Sequence, residues 1–324
     1  MTMKYALGID TSCYTTSFAV VSLEGKVVYN SQVLLEVEKG KRGLRQSNAI
    51  FKHIQNIPQI THELGTTIDP NKIVVVSSTI RPRPMEDSYM PVFLVGETIG
   101  RALSDFLLVP FHPTSHQESH IAAGNFSANG PMGDNFLAIH FSGGTSELLK
   151  VDVSNAAYDI EILGKTQDLH AGQFVDRMGV LMGLNFPAGP QLEELARHGR
   201  DDKINIPVFV RDMTIGFSGA ETYTKRLIQK EYKKEDIAIA IYNCLAKTLY
   251  KWITNAVSQT NLTDVLLVGG VTSSNILRKK LCAHFEKRPE IELFFADPKF
   301  AKDNAIGAAL LGLKYYEGKE HNGS

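Results

Sequence analysis

The stretch FLAIHFSGGTSELLKV, residues 136–151, decides how the fold is read. Its two apolar runs, FLAIHF and ELLKV, flank a turn of small residues, SGGTS, as the strands of a hairpin do. A turn of Gly, Ser and Thr presents backbone N–H groups and hydroxyls to one point, which suits a phosphate; a hairpin also needs such a turn with no ligand at all. The start of the chain repeats the unit as YALGI-DTSCYTTS-FAVVSL, residues 5–23. A third piece, VLLVGGVTSSNILRKKL (265–281), reads as a buried strand, a Gly-Gly turn and a helix capped by Ser or Asn. Its paired glycines allow close backbone approach, and its helix N-terminus favours an anion.

Outward from these units, the rhythm alternates. KIVVVSS (72–78) and DVLLVGG (264–270) are further short apolar runs, and GETIGRALSDFLL (96–108), QFVDRMGVLMGL (173–184) and DIAIAIYNCLAKTLYKWITNAV (236–257) carry helical spacing. The chain is therefore expected to be α/β. The doubled hairpin resembles the way the actin/Hsp70/sugar-kinase (ASKHA, ribonuclease H-like) superfamily holds nucleotide phosphates. That resemblance implies two actin-like lobes with a ligand cleft between them, residues 1–130 and 131–324, with the C-terminal helix packing back on the first lobe.

Composition sets limits on the partners. The 324 residues are 43% apolar and 21% charged, enough for a large core. Lys and Arg number 34 against 35 Asp and Glu, a net charge of −1, so a nucleic acid must be met by a local patch or jointly with another protein. The start MTMKYALGIDTS lacks the apolar run of a secretory signal, and no segment approaches the roughly 18 apolar residues of a membrane span, so a cytoplasmic protein without a membrane partner is expected. Cys13, Cys244 and Cys282 are scattered, which argues against a disulfide framework or a thiolate zinc site.

SHQESH, residues 115–120, bears the first chemistry. Ser115 and Glu118 form a capping box that opens a helix expected to run to about Gly124. On that helix His116 and His120 stand one turn apart on one face, a spacing that suits two imidazoles on one metal and equally suits two ordinary histidines. Gln117 occupies the place where a zinc protease of the HExxH type has its glutamate, so peptide hydrolysis is disfavoured. A third ligand must come from elsewhere; Asp303 in FAKDNAIGAALLGL is the candidate, and an N-cap aspartate is the alternative.

Taken in order, the motifs resemble the TsaD (Gcp, Kae-type) family of tRNA N6-adenosine threonylcarbamoyltransferases over nearly the whole chain. GIDTSC (8–13) is similar to the family's GxETSC, VPFHPTSHQESHI (109–121) to its His-x-x-x-His helix, and FLAIHFSGGTSEL to its SGG turn. DLHAGQFVDRMGVLMGLNFPAGP (168–190) resembles AGEAFDK…GLxYPGGP, GFSGAET (216–222) resembles FSFSGLKT, and VGGVTSSNILRKKL and FADPKFAKDNAIGAA match the GGVxxN and DN motifs. The resemblance implies transfer of a threonylcarbamoyl group from threonylcarbamoyl-AMP to the N6 amine of a tRNA adenosine. It implies one divalent metal, iron or zinc, on His116, His120 and Asp303, with His140 where some relatives have a fourth ligand. It implies a nucleotide, threonylcarbamoyl-AMP or ATP, held by His140, Phe141, Ser142, Gly143, Gly144, Asp176, Gly189, Glu193 and Asn275. Its partners would be tRNA and other proteins of the tRNA-modification machinery. No side chain is singled out as a catalytic nucleophile or base, and catalysis is expected to be metal-assisted.

The chain also departs from the pattern. Asp10 stands for a glutamate, Tyr14 and Thr15 for acidic residues, Gln173 for a glutamate, Ala188 for a glycine and Glu221 for a lysine. STIRPRPMEDSYM (78–90), with Arg81 and Arg83, replaces the glycine turn TxGPG. These changes suggest a divergent paralogue, so a carbamoyl or acyl transferase with another acceptor, and a non-catalytic nucleotide-binding paralogue, are alternative readings. KGKRGLRQ (39–46) carries four positive charges, suited to RNA phosphate or to a solvated loop.

Overall fold

A computed structural model describes residues 3–12, 14–36, 44–85, 87–154, 157–300 and 305–322. Asp303, Asn304, Cys13 and residues 39–43 of the basic run lie outside them. The chain forms two compact units: residues 1–124 with 153–159 and 302–324, and residues 125–152 with 160–301.

The first unit holds a five-stranded sheet of β1 (Tyr5–Asp10), β2 (Thr15–Ser22), β3 (Val27–Leu34), β4 (Ile73–Arg81) and β5 (Phe111–Ser115), in the order β3-β2-β1-β4-β5. β1 pairs antiparallel with β2, as the repeated hairpin requires, and parallel with β4. Every residue of β1 is buried, because both faces of the strand are covered. Leu7 and Ile9 pack with Ile57, Ile60 and Leu64 of α1 (Gln46–Thr67) and with Val95 of α2 (Phe93–Leu107). On the opposite face a side chain at Gly8 would run into the backbone at Ala305 and Ala309, so the absence of a Cβ lets the last helix lie directly on the sheet. β3 and β5 escape the sequence pattern because they are edge strands: β3 alternates between half-buried and exposed, and β5 tolerates Pro113.

β5 runs straight into α3 (His116–Ala128). The capping box is present: Ser115 Oγ accepts from Glu118 N at 3.1 Å, and Glu118 Oε2 accepts from Ser115 N at 2.7 Å. The helix continues four residues beyond Gly124, since Ala122, Ala123 and Gly124 are themselves buried helical positions and the chain turns only at Asn129, with φ of 52°.

The second unit is built on β6 (Asn135–Phe141), β7 (Ser146–Ser154), β8 (Ala157–Thr166), β9 (Phe209–Arg211), β10 (Thr214–Gly216), β11 (Asp264–Val268) and β12 (Glu292–Phe295), in the order β12-β11-β6-β7-β8-β10-β9. β6 and β7 are the antiparallel hairpin of the opening stretch, and β11 runs parallel to β6. Around the sheet stand α4 (Ala171–Leu181), α5 (Gly189–Ala196), α6 (Ser218–Gln229), α7 (Lys234–Thr260) and α8 (Asn275–Phe285); α9 (Ile306–Asn322) ends the chain and packs on β1, β2 and β4 of the first unit. α7 is apolar nearly all round because it is the central core helix, and its Trp252 is fully buried with Nε1 donating to Met213 O at 2.9 Å. Ser274, rather than Asn275, caps α8, its hydroxyl accepting from Leu277 N at 3.3 Å. No helix among the described residues is long and apolar enough to cross a membrane.

Candidate functional site

In the first unit the site grows from the end of β1. Asp10 is fully buried there, and its Oδ1 accepts from Ser12 N at 2.8 Å. Its Oδ2 lies 2.8 Å from His116 Nδ1. A carboxylate accepts, so Nδ1 of His116 donates to it, and in the neutral ring the lone pair is then on Nε2. His120 Nε2 lies 3.0 Å from that atom, the two rings meeting edge to face with centroids 4.4 Å apart. The capping box sets the helix phase, the i,i+4 spacing stacks the rings, and Asp10 fixes one tautomer. A carboxylate behind an imidazole whose far nitrogen points at another imidazole is how metal-binding histidines are oriented.

The donor set thus fits a divalent transition metal as far as it is described. The third expected ligand, Asp303, lies outside the described residues, and among those described no three His, Cys, Asp or Glu side chains gather round one point. The sequence reading missed Asp10 as an orienting group; its position one residue past the apolar run of β1 was the available signal. It also passed over His53 of α1, which is fully buried, has its Nδ1 2.8 Å from Thr16 Oγ1, and is pushed down to about 4 by burial, with the Asp10 charge opposing the shift.

The second unit carries the expected nucleotide residues at the end of β6 and in the SGG turn that follows it, on α4 and α5, and at the start of α8. In the SGG turn, Ser142 N donates to Thr145 O at 2.8 Å and Ser142 Oγ accepts from Thr145 N at 3.0 Å and Gly144 N at 3.3 Å. Gly143 and Gly144 have open space where a Cβ would stand. Two glycines elsewhere seat this turn. Gly172, at the start of α4, would place a Cβ 2.7 Å from Gly143 Cα and Ser142 O, and its N–H donates to Ser142 O at 3.1 Å. Gly269, with φ of 102°, lies against the Phe141 carbonyl. His140 and Phe141 end β6 beneath the turn, both buried, with His140 opposite the buried Glu147 of β7.

The remaining expected residues continue the same chain of contacts. Asp176 of α4 accepts from Ala188 N at 2.8 Å, and its carboxyl is pushed up by burial against the opposing hydrogen bonds from the Ala188 and Gly189 N–H groups. Gly189 opens α5, and its carbonyl accepts from Tyr242 Oη at 3.3 Å. Burial and the nearby Glu193 charge raise the Tyr242 hydroxyl. Glu193 Oε1 accepts from Ile276 N at 3.1 Å, holding the N-terminus of α8, where Asn275 is exposed. The SGG turn, α4, α5, α8 and the glycine turn after β11 therefore form a closed ring of contacts in this unit. Loops beyond the carboxyl ends of strands are where α/β sheets bind ligands.

Two residues that sequence reading treated only as motif letters have structural partners. Glu221 is buried and pairs with Arg177 at 3.5 Å and Lys225 at 2.9 Å, which accounts locally for the acid at a position where the resemblance implies a lysine. Asp168 ties the FSG segment to the loop that leads into α4. Burial would raise its carboxyl, but hydrogen bonds from the Ser218 hydroxyl and from the Leu169, Phe217 and Ser218 amides hold it below its ordinary value of 3.8. A carboxyl depressed on folding stabilises above its unfolded pKa, and that contribution is lost as pH falls through the folded value. Asp168→Asn is thus expected to melt below wild type at about pH 7, with the gap closing toward about pH 3. Thermal melts at both pH values check this.

A family profile described as tRNA N6-adenosine threonylcarbamoyltransferase, TsaD, matches residues 36–310. The enzyme of that name from Thermotoga neapolitana is 31% identical over 312 residues, 94% of this chain and 92% of the relative. Its counterpart from Thermosipho africanus is 31% identical over 323 residues, 96% and 94% of the two chains. Among solved structures, HypF from T. kodakarensis superposes with a TM-score of 0.64 at 16% identity, covering 98% of this chain and 49% of that one. The activator of 2-hydroxyisocaproyl-CoA dehydratase from Clostridium difficile, with bound ADPNP, gives 0.53 at 16%, covering 98% and 97%. A ROK family glucokinase from Streptomyces griseus gives 0.52 at 11%, covering 95% and 99%. These likenesses establish the fold as the actin-like ASKHA type.

Proposed function

The chain belongs to the TsaD family of tRNA N6-adenosine threonylcarbamoyltransferases, a family of transferases, and from that footing we propose that it moves a threonylcarbamoyl group from threonylcarbamoyl-AMP to the N6 amine of a tRNA adenosine. In this reading His116 and His120, with Asp303, hold one divalent metal, iron or zinc. Bound there, the metal would polarise a carbonyl and stabilise charge on its oxygen. The observation that supports the metal is the Asp10–His116 bond, which leaves Nε2 of His116 as a lone-pair donor beside Nε2 of His120.

The protein's own groups do the rest. Asp10 holds the proton on His116 Nδ1 and fixes the ring. In the second unit the loop ring binds the nucleotide: the SGG turn, with open space at Gly143 and Gly144, meets phosphate, and Asp176, Gly189, Glu193 and Asn275 line the ribose and base end. An amide-rich turn stabilises the charge of a departing AMP. tRNA and other proteins of the modification machinery are the partners, and the cytoplasm is the compartment of this reading.

The test is transfer from threonylcarbamoyl-AMP to unmodified tRNA, with candidate partner proteins added and the metal content of the protein measured alongside. Modified adenosine together with about one metal per chain is the expected result. A metal-free protein of full activity would overturn the metal assignment. Metal without transfer would favour a second reading, the same chemistry on a different acceptor, which the substituted turn at residues 78–90 independently supports.

A further inference from the structure

The turn that follows β4 lies against the histidine helix. Arg81, the last residue of β4, is the register partner of Ser115, the residue before His116. Pro82 O accepts from the N–H of Gln117, the residue after His116, at 3.0 Å. The backbone on both sides of His116 is thereby clamped to the Arg81–Pro82 step. Pro82 and Pro84 stiffen the turn, and Arg83 N donates to Ser88 Oγ at 3.1 Å across it.

Within this arrangement Arg81 is half-buried, and among the described residues its guanidinium makes one hydrogen bond, Nη1 donating to Met85 O at 3.4 Å. Among the described residues it forms no ion pair. The acids of the neighbouring cluster are already engaged: Asp10 accepts from Ser12 N and His116, and Glu118 accepts from Ser115 N and Thr114 Oγ1. A guanidinium has five donors in a planar fork that matches a carboxylate, so most of this one's capacity is unused.

We propose that Arg81 is a specificity-determining residue that reads a carboxylate on the group presented to the His116–His120 pair, namely the free carboxylate of the threonyl part of the acyl group. The proposal rests on the reading of the donor given above. It assigns the departing segment 78–90 a purpose: a side-chain donor stands where the resemblance implies a glycine turn. A charge-assisted hydrogen bond of this kind is worth roughly tenfold to a hundredfold in affinity.

The test uses two hydrolysis-resistant analogues of threonylcarbamoyl-AMP, one with the threonyl carboxylate free and one with it converted to the carboxamide. Binding of each, and of AMP alone, is measured by calorimetry for wild type, Arg81→Gln and Arg81→Lys. Wild type is expected to prefer the carboxylate by roughly tenfold or more, Arg81→Gln to bind both alike, and Arg81→Lys to recover part of the preference, since ammonium lacks the fork. Unchanged AMP affinity in all three shows that the variants are folded. Wild-type preference persisting in Arg81→Gln, absence of any preference in wild type, or failure of both analogues to bind would each overturn the proposal. An Arg81-dependent preference with no transfer to tRNA would leave it standing while removing tRNA as the acceptor.

Discussion

His116→Ala is expected to strip the protein of its bound metal and to lower transfer by about a thousandfold, the equivalent of the several kcal/mol that a Lewis-acidic metal supplies. The helix should survive the change, because the capping box is made by Ser115 and Glu118 and not by the imidazole. Asp10→Asn separates orientation from ligation. The amide can still meet His116 Nδ1 but no longer compels the proton to sit there, so a loss of about 10–100-fold in metal affinity is expected, the usual effect of removing a carboxylate behind a ligating histidine. Metal analysis after dialysis against a graded series of chelator concentrations reads both effects. Full metal content in His116→Ala would sink the assignment.

Gly269→Ala is the second change with a large expected effect, and it acts in the other unit. The residue sits at φ of 102°, where an L side chain is strained, and its Cβ would enter the carbonyl of Phe141, the residue immediately before the SGG turn. The strain and the overlap together are expected to cost about 3 kcal/mol of stability. Because the displaced carbonyl belongs to the strand that carries the turn, nucleotide affinity should fall more than tenfold even where the protein remains folded. Gly143→Ala is the control: its Cβ meets nothing within 4 Å, so the fold should tolerate it while the approach to phosphate is narrowed. A melt of Gly269→Ala indistinguishable from wild type would show that the glycine turn is not seated as described.

The same contrast explains which departures from the family pattern matter. Gln173 replaces a glutamate at a helix start and still accepts from His170 N at 3.3 Å, so the capping function survives the loss of charge. Glu221 is paired with Arg177 of α4 and with Lys225 one turn along its own helix, α6. Arg81 has no such partner among the described residues, the difference on which its proposed carboxylate-reading role rests.

Read alone, the sequence already determined the local facts. Period-two and period-3.6 apolar runs place the main strands and helices, the Ser115–Glu118 pair starts α3, and the i,i+4 spacing puts His116 and His120 on one face, all within a few residues of chain. Edge strands β3 and β5 were not legible, because a strand with one open side has no obligation to be apolar. The tertiary structure alone decided that Asp10 stands behind His116, 106 residues away; that Gly172 and Gly269 seat the SGG turn; and that Glu193 caps α8. Each of these is a contact between segments distant in sequence, made by a carboxylate or a missing Cβ whose purpose depends on what the fold brings against it. Short-range periodicity carries no information about that.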